Sequence, residues 1–114
     1  MEIAGAVGAL WALAQETRLR IFRALVARGP AGLPAGRIAQ RLDLPGPTLS
    51  FHLAGLRRAG LVECRREGRS LIYSANFAAM RGLVDYLTEN CCREAEVPCA
   101  RARSAARVAR ARRG

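Results

Sequence analysis

Residues 48–75, TLSFHLAGLRRAGLVECRREGRSLIYSA, decide how this chain folds. Leu49, Leu53 and Leu56 fall on one face of a helix that Gly60 ends. Phe51 points away from that face, with Thr48 and Gly55 on its side, and Ser50 and His52 flank the two. The pattern then changes. Residues 61–64 and 70–75 read as two strands, and RREGR between them as a hairpin loop carrying Arg65, Arg66 and Arg69 around Gly68.

Upstream, AGRIAQRL at 35–42 is a short helix and DLPGP a tight turn, so two short helices cross a turn in the helix-turn-helix pattern. A basic hairpin beside such a pair is a wing. The expected fold is mainly α with a small β-hairpin, an α+β winged helix-turn-helix. Residues 16–28 form another helix, with Leu19, Phe22, Leu25 and Val26 as its apolar side, Arg18, Arg20, Arg23 and Arg28 as a solvated face and Gly29-Pro30 as its stop. In the first segment Ile3, Val7, Leu10 and Ala14 make one stripe, widened by Ala6 and Leu13. Phe77, Met80, Val84 and Leu87, with Leu83 alongside, keep helical spacing through 77–89 and either pair with the first helix or join an ordinary core.

Composition narrows the function. The 114 residues suit one domain, and 51% hydrophobic content builds a core that dimerisation would help. Nineteen basic residues, all Arg, against nine acidic ones give a formal net charge of +10, a field that attracts phosphate backbones or anionic lipid. The apolar run IAGAVGALWALA at 3–14 is too short to span a bilayer and has no basic stretch before it, which disfavours a secretory signal. A cytoplasmic protein with reduced thiols is the expectation, and its four cysteines then point to metal binding or redox chemistry. Three of them sit in NCCREAEVPC at 90–99.

ETRLRIFRAL at 16–25 and IAQRLDLPGPTLSFHLAGLRRAGLVECRREGRSLIYSAN at 38–76 resemble the ArsR/SmtB family of winged-helix metalloregulatory repressors, the likeness covering residues 10–89 or so. LSFHLAGLRRAGLV and the REGR wing are its most specific part. The resemblance implies a homodimer built from the first and last helices, a double-stranded operator with two-fold symmetry, and release of that DNA when an inducer binds. There are departures. Where arsenic-sensing members carry Cys-x-Cys at the start of the first helix of the DNA-binding pair, this chain has GLPAGRIA. Where zinc-sensing members pair Asp with His on the last helix, Asp85 has no His near it in sequence. Cys91 and Cys92 followed by Cys99 resemble instead an arsenic-responsive subgroup whose cysteines lie just past the last helix.

The residues then sort as follows. Thr48, Ser50, Phe51 and His52 are candidates to face the major groove, where an apolar ring can meet a thymine methyl. Arg57, Arg58, Arg65, Arg66 and Arg69 are candidates for phosphates, which give affinity rather than sequence choice. Cys91, Cys92 and Cys99 suit trivalent arsenic, which is soft and prefers thiolates in a three-sided pyramid. Arsenite is the expected inducer, with antimony or a methylated arsenic needing only two thiols as alternatives. A bridge from Cys91 or Cys92 to Cys99 under oxidation is the rival reading. Cys64 reads as a small core residue. Ser50 and His52, two apart on a helix, do not face one another and no acid completes a triad, so the chain is not read as an enzyme. The organisation expected is a winged-helix and dimerisation domain at 1–90, a cysteine inducer segment at 91–100 and a basic tail at 101–114 with six Arg and no acid, read as a disordered solvated end.

Overall fold

Leu49, Leu53 and Leu56 are almost completely buried, and around them the other elements assemble. A computed structural model describes residues 1–96. In chain order it holds α1 (Ile3–Leu13), α2 (Glu16–Arg28), β1 (Leu33–Pro34), α3 (Ala35–Leu42), α4 (Gly46–Arg58), β2 (Val62–Glu67), β3 (Ser70–Ala75) and α5 (Phe77–Thr88). Cys99 and the basic tail lie outside the described residues.

The core joins α4 to Ile21 and Leu25 of α2, Ile38 of α3 and Leu61 after α4. Each such side chain contributes about 1.5–3 kcal/mol by leaving water. On α2 the apolar face is rotated from the expected one, since Ile21 is buried and Leu19 exposed. Helix α4 starts at Gly46, two residues before the expected start, with Pro47 in its first turn. That turn needs no amide donor there, so the proline that reads as a breaker fits.

Strands β2 and β3 pair antiparallel from Val62↔Ala75 to Glu67↔Ser70, leaving only Gly68 and Arg69 as the turn. Gly68 has φ +61° and Arg69 is not in the left-handed region, so one glycine in the first central position makes the tight turn. Arg65 and Arg66 therefore belong to β2 rather than to a five-residue loop, which corrects their expected placement. β1, a two-residue strand within the turn-rich GPAGLP, completes the sheet on the other edge of β3. Gly32 makes that approach feasible, because a Cβ there would run into the Tyr73 carbonyl oxygen.

Helix α1 turns its alanines inward and leaves most of its apolar stripe outward, which suits the interfacial reading of that stripe. Ala6, Ala9 and Ala12 face the core, while Ile3 (70% exposed), Val7, Leu10 and Trp11 (72%) face solvent. An all-apolar helix gives periodicity no polar face to read against, and close packing favours its alanines. The α5 stripe splits as well. Leu83 is buried and Phe77 and Met80 pack on the core, whereas Val84 and Leu87 are exposed. Among the described residues no helix is long and apolar enough to cross a membrane.

Candidate nucleic-acid interface and thiol pair

The leucine periodicity that buries one side of α4 leaves Thr48, Ser50 and Phe51 exposed on its N-terminal half. Phe51 is 64% exposed, which leaves its ring open to a partner on this face. Its ring touches His52 edge-on, with centroids 5.3 Å apart. His52 is turned further inward than the other three. Its Nδ1 is enclosed and has no hydrogen-bond partner among the described residues, and burial first, then the charge of Arg18, holds its pKa below the ordinary 6.5.

Arg57 and Arg58 are exposed in the last turn of α4, where cations also complement the helix dipole. Arg66 and Arg69 are exposed on the wing. Arg65 is engaged within the chain: Nη2 donates to the Ala31 carbonyl at 2.8 Å, Nη1 to Pro30 at 3.2 Å, and Nε to Glu67 at 2.9 Å. It ties the wing to the turn after α2, a bracing contact that the sequence did not announce. Cys64 stands opposite Tyr73 in the β2–β3 register and is half-buried. Burial, then the neighbouring thiol, raises the Tyr73 pKa.

The thiols lie one short turn past α5. Cys91 N–H donates to the Thr88 carbonyl at 2.8 Å, continuing the helix by a turn, and Cys92 adopts φ +62°. That left-handed backbone costs a non-glycine residue roughly 1–2 kcal/mol. It accompanies a Cys91 Sγ to Cys92 Sγ distance of 3.6 Å. Two sulfurs bonded to one atom at about 2.3 Å, at pyramidal to tetrahedral angles, stand roughly 3.4–3.8 Å apart. At this distance the two sulfurs are in contact, one thiol donating to the other. Cys99, the third expected ligand, lies outside the described residues, among which no cluster of three metal-binding side chains occurs.

Asn76 is a residue the sequence reading passed over. Its Oδ1 accepts from Ala79 N–H at 3.1 Å, capping α5, while Nδ2 donates to the Gly60 carbonyl at 2.9 Å and its own N–H to Leu61 at 2.8 Å. An Asn directly before an apolar helical stripe is a cap signal. Its reach to Gly60, which locks the start of α5 to the end of α4, is visible only in three dimensions.

Known proteins share this arrangement. A helix-turn-helix domain model matches residues 13–65. The transcriptional activator HlyU of Vibrio cholerae is 37% identical over 84 residues, spanning 74% of this chain and 75% of that protein. An ArsR-like transcriptional regulator from Rhodococcus superposes with a TM-score of 0.68 at 31% identity, covering 80% of this chain and 82% of that one. A homodimeric winged helix-turn-helix DNA-binding domain from Mycobacterium bovis, a possible ArsR-family regulator, gives 0.63 at 27% identity over 84% and 89%. With the wing, the exposed face of α4 and these relatives in agreement, the chain belongs to the ArsR family of winged helix-turn-helix, DNA-binding transcriptional regulators.

Proposed function

We propose that the chain is a homodimeric repressor that holds a two-fold operator through α4 and the wing and releases it when trivalent arsenic binds Cys91 and Cys92, with Cys99 as third thiol. The 3.6 Å thiol pair at the end of α5 carries this reading. Dimerisation is supported by the exposed Ile3, Val7, Leu10 and Trp11 of α1 beside Val84 and Leu87 of α5, two helices that pack together, and by the homodimeric neighbour from M. bovis. Thr48, Ser50 and Phe51 meet the major groove, His52 stands at its margin, and Arg57, Arg58, Arg66 and Arg69 hold phosphates.

The chemistry balances without redox change. Each thiol proton leaves with one hydroxyl of neutral arsenous acid as water, and an As–S bond replaces each As–O bond. Charge is conserved, so the signal is geometric. Bonding Cys91 and Cys92 to one atom fixes the turn that follows α5. That helix is about 18 Å long, and Asn76 joins its far end to Gly60, two residues past α4. A shift of α5 is thereby delivered both to the exposed dimer face and to the recognition helix.

The test uses a duplex selected from random sequence by the full-length protein, followed by fluorescence anisotropy in a phosphine reductant. Arsenite should release wild type but neither Cys91→Ser nor Cys92→Ser. Cys99→Ser then distinguishes a three-thiol from a two-thiol site, and antimonite is run in parallel. Wild type insensitive to arsenite and antimonite ends this reading. Release by peroxide that a reductant reverses would move the trigger to thiol oxidation.

A further inference from the structure

Beside the recognition helix, one turn along α4 from Phe51, α1, α2 and α4 border an open cavity of about 360 Å³ lined by Gly8, Trp11, Ala12, Arg18, Gly55 and Arg58, with Ala59 at its edge. Its polar groups are almost all cationic. The Arg18 Nη1 and the Arg58 Nη2 converge over Gly55, lying 3.6 and 3.9 Å from the point a Cβ there would occupy. Among the described residues the one ion pair is Arg65–Glu67, so neither of these guanidinium groups has a carboxylate partner.

Three features make this more than two surface arginines. Arg18 is fixed rather than waving, because its Nε donates to the Ala12 carbonyl at 2.7 Å, and it stands in the first turn of α2, where the helix dipole already favours an anion over a cation. His52, one turn before Gly55 on α4, presents an enclosed Nδ1 without a hydrogen-bond partner among the described residues and senses the Arg18 charge. Gly55 is interior to α4, where glycine is disfavoured, yet an added Cβ would meet nothing nearer than ordinary contact distance. Packing does not require glycine there; what its missing side chain leaves is space between the two guanidinium groups.

We propose that Arg18 and Arg58, over the floor left open by Gly55 and beside His52 and Trp11, form an oxyanion site that takes a phosphate group. Forked guanidinium donors match phosphate oxygens in pairs. The group can belong to a small phosphorylated effector or to the backbone of bound DNA. The site is separate from the thiol pair and neither depends on arsenic chemistry nor shares its residues.

Trp11 and His52 are the only Trp and His in the chain, so both report directly. Inorganic pyrophosphate is titrated into the full-length protein at constant ionic strength held with chloride, following Trp11 emission and the imidazole resonances of His52. A second titration uses a short mixed-sequence duplex. The expected result is a saturable change in both signals with pyrophosphate, weakened at least tenfold in Arg58→Gln and in Gly55→Met, two substitutions on the helix surface whose folding is checked by circular dichroism. A change with duplex but not pyrophosphate, lost in the same variants, assigns the phosphate to DNA. Responses that chloride reproduces, or that survive both substitutions, overturn the site.

Discussion

Replacing Asn76 tests how α5 is coupled to the reading head. In Asn76→Ala, α5 loses its N-cap, a hydrogen bond of 3.1 Å to Ala79 N–H, for which about 1 kcal/mol is typical. The 2.9 Å bond to the Gly60 carbonyl is also lost. Water can reach that exposed carbonyl, so this adds about 0.5–1 kcal/mol. Together they lower stability by roughly 1.5–2 kcal/mol. Asn76→Asp separates the two, since a carboxylate still caps the helix but cannot donate to Gly60, and should cost about 0.5–1 kcal/mol. Urea unfolding at matched protein concentration measures both, the concentration being fixed because association contributes to stability. If coupling runs through this residue, Asn76→Asp should also remain folded and DNA-binding while responding less to arsenite. Equal losses for Ala and Asp, or an undiminished response in Asn76→Asp, would refute the reasoning.

Leu10→Glu places a charge on the exposed face of α1 without touching the core, so the chain should stay folded, sediment as a monomer and bind DNA at least about 100-fold more weakly through lost bivalency. Arg65→Gln should lower stability by about 1 kcal/mol or less while leaving the salt dependence of DNA binding unchanged, whereas Arg66→Gln or Arg69→Gln should reduce the slope of log affinity against log salt by about one unit each. Because the His52 pKa is depressed in the folded chain, the unfolded chain binds more protons just below 6.5. Stability is therefore full above that pH and falls as acid is added below it, and His52→Gln should flatten the fall seen in denaturation at pH 7, 6 and 5.

The leucine face of α4 was legible because a polar opposite face makes a three-to-four residue period visible, and the same holds for the α3 turn α4 pair and the wing strands. Helix α1 was legible as a helix with its large apolar residues on one stripe, but the sequence left open whether that stripe meets the core or an interface. With hardly any polar residue to mark an outside, only the depth of packing distinguishes the alanine face from the leucine face. Ile21 rather than Leu19 completes the buried side of α2 for a related reason, since which apolar edge of α2 is covered depends on where α4 lies. β1 is two residues long and owes its pairing to a glycine contact with Tyr73, which no local pattern announces. At the candidate site the outward placement of Thr48, Ser50 and Phe51 on α4 could be read from helical spacing. Arg65 could not, since a cation on a hairpin looks the same in sequence whether it holds a phosphate or a carbonyl 34 residues away.

The two faces of α1 also separate two kinds of change. Ala6, Ala9 and Ala12 keep the helix against its own chain, and a larger group at any of them would have to displace the core. Ile3, Val7 and Leu10 face outward and can vary without repacking it. If copies associate through this face, as proposed, a lineage that duplicates such a gene can redraw which copies pair by rewriting those three outward positions, leaving each copy's reading head and thiols as they were.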